Sequence, residues 1–404
     1  MSADGPTSVA GALDAQLRGL VGEESRVAGA LARIERGDGT LLWEGAAGRS
    51  RADVDAMLSP ADRFHVASIT KTMTAVLVLQ HAERGAFGAA GVDARLADLG
   101  VLDSAVIDRL SRIGAQSHGR AITLRHLLTH TAGIRDAMVD DAQQLGGPAP
   151  GSLVGRMLGP GGDPHRHWSP WDPARPGDAE AGVVNFYLNS GLADSALAPP
   201  GQSFRYSDTG FMLLGLAVEH AGAEPLHAQL RERIFDLLGL DDTYLAYRGD
   251  PPGMDATRRP ESDCWAGTTP CLSTGVSLSF DWAGGGVVSS ARSLIAFERA
   301  LLAGRLFARR GTLHAMLDWR VPQGLAPPRS GVGLGLFRID STAGPLIGHS
   351  GAWGAHMYYS PTLDLYLAGT VNQSAAASDW HWRLLVTAGA AAAHTIPATA
   401  GDHR

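Results

Sequence analysis

Residues 64–84 constrain the fold more than any other stretch. Met73, Ala75, Val76, Leu77, Val78 and Leu79 lie in a run with no Gly or Pro between Ser68 and Gly85, which reads as a buried helix opening near Ser68. Inside it stands Lys71, the single lysine among 34 Lys and Arg residues. Where only a positive charge is wanted, Arg serves as well as Lys. Where a proton must leave it does not, because guanidinium keeps its proton at any working pH while a buried ammonium can be pushed toward neutrality. The plainer reading is codon bias and a surviving surface lysine. Position argues against it: residues i and i+3 share a helix face, so the Lys71 amine can reach the Ser68 hydroxyl. A serine hydroxyl is a weak nucleophile until a base takes its proton. A helix N-terminus adds a backbone N–H and a positive field suited to an oxyanion.

The chain has 404 residues, 45% hydrophobic and 19% charged, the makeup of an ordinary globular protein with one large domain or two joined ones. Its net charge of -7 argues against nucleic acid or an anionic membrane as partner. The N-terminus carries no basic cluster, and residues 7–21 are broken by Asp14, Gln16 and Arg18, which speaks against a signal peptide. No apolar run reaches transmembrane length. A cytoplasmic protein without a cofactor is expected. Cys264 and Cys271 fit a reducing compartment as free thiols and form no metal-site signature.

Residues 7–21 read as an amphipathic helix. Val27 to Ile34 and Leu41 to Ala47 read as two strands around Gly37-Asp38-Gly39, a hairpin signal. A helical pattern is expected from about 76 to 133, with Thr123 as an N-cap and Gly133 as a stop. His126 and His130 stand four apart, but the zinc-protease pattern needs Glu where Leu127 stands, so a packed or capping role is expected. Residues 135–198 are rich in Pro and Gly and carry Trp168 and Trp171; the tryptophans favour a lid over disorder. Asp163, His165 and His167 are read as loop polars. Helices are expected at 210–221, 226–240, 291–303 (after a tight turn at 281–290) and 379–394, and strands at 332–339, 356–360 and 366–372.

Three spaced motifs now carry a resemblance. Ser68-x-x-Lys71, Tyr206-Ser207-Asp208 and His349-Ser350-Gly351 resemble the Ser-x-x-Lys, Tyr-x-Asn and Lys-Thr-Gly motifs of the serine β-lactamase-like superfamily. That group comprises penicillin-binding DD-peptidases, class C β-lactamases, family VIII esterases and D-aminopeptidases. The resemblance covers roughly residues 25–390. It implies a mixed α/β (α+β) fold of the β-lactamase/transpeptidase type: an antiparallel sheet flanked by helices, from residues 1–75 and 275–404, and an inserted, mostly helical domain at 76–274 with 135–198 as its lid-like insertion. It also implies Ser68 as nucleophile, Lys71 as its base, Tyr206 as proton relay to the leaving group and His349 in the catalytic set. The oxyanion hole would come from the N–H groups of Ser68 and Ala352. Asp208, Ser350, Gly351, Trp353, Trp168 and Trp171 would contact substrate.

Two departures bear on specificity. Asp208 replaces the family's Asn, placing a carboxylate near Lys71 that would hold the amine charged; it is expected to meet a cationic or hydrogen-bond-donating part of the substrate. His349 replaces the Lys of Lys-Thr-Gly, which suits the carboxylate of penicillin or D-Ala less well than a permanent cation. A serine hydrolase of small esters or D-configured peptides, working through an acyl-enzyme on Ser68, is therefore expected. The alternatives are an acyltransferase or cyclising thioesterase that takes a carrier-protein-bound acyl group, and a non-catalytic binding protein on the same fold. A further rival places the nucleophile at Ser350, in an approximate α/β-hydrolase elbow from Gly348 to Ala352, with Asp364 and His381 completing it. Oligomeric state is left open.

Overall fold

The turn at Gly37, Asp38 and Gly39 joins β1 (Gly29–Arg36) to β2 (Leu41–Gly48), as the sequence predicts. Gly39 adopts φ 95°, and the Thr40 N–H donates to the Asp38 carboxylate at 2.8 Å, the local chemistry that closes a tight hairpin. Five strands from the other end of the chain complete the sheet: β3 (Arg329–Val332), β4 (Phe337–Ser341), β5 (Gly344–Gly351), β6 (Ala355–Ser360) and β7 (Leu365–Thr370). Their order is β3-β4-β5-β6-β7-β1-β2, every neighbouring pair antiparallel. This computed structural model describes residues 8–22, 26–249, 261–374 and 379–394. Residues 1–7, part of the stretch read for a signal peptide, lie outside the described residues.

The helices that matter here are α1 (Val9–Arg18), α2 (Thr70–Glu83), α3 (Leu124–Leu128), α4 (Leu153–Leu158), α5 (Val183–Asn189), α6 (Asp208–Gly222), α7 (Trp282–Gly285), α8 (Ala291–Leu302) and α9 (Trp380–His394). Strand alternation decides which face each packs on. Ala30, Ala32 and Ile34 meet Leu13 and Leu17 of α1 and Leu384 and Leu385 of α9. Leu31 points the other way, into the cluster that holds α2, α6 and α8. That second cluster runs without a break from Leu31 through the helical region to Ala368. Among the described residues no helix is long and apolar enough to cross a membrane.

Several expectations need correction. The helix expected from about 76 to 133 stops at Glu83, because Gly85, Gly88 and Gly91 take φ of 78°, 66° and 54° and turn the chain into short helical pieces. Thr123 does cap α3, in a capping box closed by His126, but α3 ends at Leu128 and Gly133 is not its stop. The turn at 281–290 contains α7 and a strand, Val287–Ser289. The 135–198 stretch is not a separable lid: Leu153, Met157, Val183, Phe186 and Leu188 belong to the main core. Cys264 and Cys271 are free, buried thiols flanking a short hairpin.

Candidate active site

The chain enters α2 through a single strained residue. Ala67 takes φ 47°, a left-handed conformation costly for a residue with a Cβ, and Ser68 follows it in a short 3-10 turn. Val66 N–H donates to Val287 O at 3.0 Å, and Val287 N–H donates to Thr70 Oγ1 at 3.0 Å. Thr72 and Thr74 donate from Oγ1 to Gly335 O (2.9 Å) and Ala283 O (2.8 Å). These buried hydroxyls tie the first turns of α2 to three other segments, so Ser68 is set by tertiary bonds as well as by its helix.

Lys71 is fully buried, and each of its N–H groups has an acceptor: Ser68 Oγ at 3.0 Å, Gly284 O at 2.6 Å and the Asp208 carboxylate. Burial opposes its charge, but the Asp208 carboxylate, then Tyr206, more than offset that, so the amine is held above its usual range. The expectation that Asp208 keeps Lys71 charged agrees with this geometry. Asp208 meets Lys71 through one carboxylate oxygen, and its side chain stays 16% exposed.

Two acidic residues that sequence reasoning missed complete the surroundings. Asp136, 2% exposed, is pushed well above the usual carboxyl range by burial and by the nearby Asp208 charge. Asp281, at the start of α7, is raised to about 7 by burial and by Asp208, with Lys71 opposing. No spacing rule links position 136 or 281 to 208. The only signal was the glycine run after Asp281, where the absence of a side chain at Gly284 lets its backbone approach Lys71 and Asp208.

Tyr206 stacks on His130, with ring centroids 4.2 Å apart, and its ring lies 5.1 Å from Lys71 Nζ. His130 Nδ1 accepts the Ser207 N–H at 3.1 Å, so His130 and His126 serve as packing and capping groups. Burial pushes the Tyr206 phenol up to about 12, with the Lys71 charge opposing. Its hydroxyl stands near Ser68 and Lys71 without closing a well-formed hydrogen bond among the described residues. His349 is buried and neutral, lowered to about 3 by burial and then by Lys71. Its Nδ1 lies 2.7 Å from Ser350 O, so it carries the proton and donates there, leaving Nε2 as an acceptor with no partner among the described residues.

Gly351 brings β5 against the nucleophile turn: a Cβ there would stand 2.3 Å from Val66 O and 3.0 Å from Ala67 Cβ. Ala352 follows, exposed, in the turn to β6, and Trp353 is half-buried against the main core. Trp168 is taken up by packing, 7% exposed and edge-on to Phe186, and Trp171 packs on the same core. Trp168 also lines a cavity of about 440 Å³, but none of Ser68, Lys71, Tyr206 and His349 lines it. The Ser350 rival is not assembled. Ser350 lies within β5 opposite His356, His381 stacks on His356 and Tyr358, and Asp364 accepts from Tyr359 beyond the far end of β6. Among the described residues no group of three or more His, Cys, Asp or Glu could hold a metal ion.

Comparison with known proteins agrees with this arrangement. A profile described as Beta-lactamase matches residues 13–388. Curated relatives include penicillin-binding protein 4* of Bacillus subtilis (22% identical over 55% of this chain and 39% of the relative) and esterase EstB of Burkholderia gladioli (27%, 54% and 47%). The chain thus spans less than half the length of these relatives. Among solved structures, a D-stereospecific amidohydrolase from Streptomyces sp. superposes with TM-score 0.68 at 26% identity, covering 94% of this chain and 98% of the other. SurE with D-Leu gives TM-score 0.62 at 27% identity, covering 98% and 77%. D-amino acid amidase from Ochrobactrum anthropi shares the fold, at TM-score 0.67 and 19% identity over 96% of this chain and all of the other. By the profile that spans nearly its whole length, and by a fold common to all these structures, the chain belongs to the Beta-lactamase family.

Proposed function

We propose that this protein is a serine hydrolase that cleaves an ester or amide through an acyl-enzyme on Ser68, with D-configured amino-acid amides or peptides as the substrate class. The observation that carries this reading is the 3.0 Å contact between Lys71 Nζ and Ser68 Oγ at the head of a buried helix. Ser68 attacks the carbonyl carbon, Lys71 takes part in removing its proton, and Tyr206 stands beside both to return a proton to the leaving group. The backbone passing through Gly351 and Ala352, with the Ser68 N–H, is the candidate oxyanion hole. Neutral His349 supplies no permanent cation, which favours an uncharged ester or amide over a carboxylate-bearing substrate. The likeness to the D-stereospecific amidohydrolase supports the stereochemical choice.

Intact mass after mixing with p-nitrophenyl acetate, and turnover of D- and L-phenylalanine amide, test the reading. The wild type should show an acyl adduct and a preference for the D-amide. Ser68→Ala should lose the adduct and at least about 10³-fold in turnover, while Ser350→Ala keeps the adduct. An adduct that survives Ser68→Ala would sink the assignment.

A further inference from the structure

Beside Ser68, acceptors outnumber the donors that meet them. Asp208 gives one carboxylate oxygen to Lys71, while its second oxygen takes no hydrogen bond among the described residues and is not sealed from solvent. A carboxylate accepts and never donates, so whatever meets that oxygen must bring a donor. His349 Nε2, buried beside Tyr206 with ring centroids 6.3 Å apart, is likewise an acceptor without a partner among the described residues. Lys71 has no N–H to spare, and the Tyr206 hydroxyl serves the leaving group. The donor must come with the substrate.

Asp208 also stands at a useful distance. Its bonded oxygen and Ser68 Oγ touch the same Lys71 Nζ, the latter at 3.0 Å, so the two oxygens lie within two hydrogen-bond lengths, ~6 Å. Before attack the carbonyl carbon sits ~3 Å from Oγ. In an α-amino acyl group the amino nitrogen is two bonds further on, ~2.5 Å from that carbon. Those two steps and one more hydrogen bond cover the gap with room to bend. We propose, resting on the Ser68 acyl-enzyme reading, that the second carboxylate oxygen of Asp208 receives the α-ammonium of the substrate's acyl residue. The substrates are then D-amino-acid amides and esters, or the first residue of a D-configured peptide, with the amino group free. An N-acylated residue loses the charge-assisted hydrogen bond and brings a carbonyl oxygen toward the carboxylate.

The surrounding charge admits a second cation. Facing Asp208 are Lys71 from α2, Tyr206 from the approach to α6, Asp136 from the segment after α3 and Asp281 from the start of α7. Asp136, kept protonated by burial and by the Asp208 charge, contributes none. Asp281 is raised to about 7 by burial and then by Asp208, so an arriving ammonium favours its ionised form. Two carboxylates then face two ammonium groups. His130 and His349 are neutral, and the Arg329 guanidinium lies over the Phe337 ring, 4.7 Å from its centroid.

A ratio between substrates decides the matter, because a change at Lys71 affects all of them alike. Hydrolysis of D-phenylalanine amide is compared with that of N-acetyl-D-phenylalanine amide and of 3-phenylpropionamide, which lacks the amine, at about pH 7, where the free amine is mostly an ammonium. Wild type should favour the free amine over each of the others by about 50-fold in kcat/KM. Asp208→Asn should bring both ratios to within about fivefold of one. Where turnover is too slow to compare, calorimetric Kd ratios for the same three amides on Ser68→Ala and on Ser68→Ala with Asp208→Asn should show the same collapse. A wild-type protein with no preference for the free amine over 3-phenylpropionamide, in turnover or in Ser68→Ala binding, would overturn the proposal without any Asp208 variant. So would ratios that Asp208→Asn leaves unchanged. In either case a p-nitrophenyl acetate adduct on Ser68 would leave the hydrolase reading standing. No wild-type adduct at all would overturn both.

Discussion

One ammonium meets three carboxyl groups at this site, and their unequal surroundings decide which of them carries charge. Asp281 is raised to about 7, above the roughly 3.9 of an unfolded chain, so the folded state binds its proton more tightly. Stability should then fall as pH rises from about 4 to about 7, because charging Asp281 costs the folded state more. Asp281→Asn removes that cost: the variant should match wild type at pH 4 and exceed it by roughly 1–3 kcal/mol at pH 8. Urea unfolding at the two pH values checks this, and an equal difference at both would contradict it. At this scale Ser68 and Lys71 were legible because one helical turn joins them. Asp136 and Asp281 were not, since only the folded chain carries them to Asp208.

At the scale of elements, β5 leans on the turn that carries Ser68. Gly351 leaves no room for a side chain against Val66 O and Ala67, so Gly351→Ala should push strand and turn apart. The expected cost is about 1–3 kcal/mol of stability together with at least about a tenfold loss of acylation rate, read from the thermal midpoint and the nitrophenolate burst. A variant that loses stability but acylates normally would mean that the contact does not position the nucleophile. The opening hairpin and the last helix could be read from turn residues and periodicity, which are local. The region after Glu83 could not: its apolar residues keep a helical look, while three positive-φ glycines cut the backbone.

For the whole molecule, the 135–198 stretch matters most. Its proline and glycine content reads as a mobile cover, yet Phe186 is 2% exposed within the main core, packed against Trp168. Phe186→Ala should cost about 3–5 kcal/mol in global unfolding, measured by denaturant titration; a separable lid would leave the midpoint unchanged. The sequence alone determined the parts that depend on near neighbours: the Ser68–Lys71 pair, the hairpin, the motifs that mark the family, and a neutral His349 in place of a lysine. Tertiary structure decided what depends on burial and on distant residues meeting. It put Trp168 in the core, turned Asp208 to Lys71 and gathered Asp136 and Asp281 around them. Charge in a low-dielectric interior is set by what surrounds a group in space, and no local pattern records that.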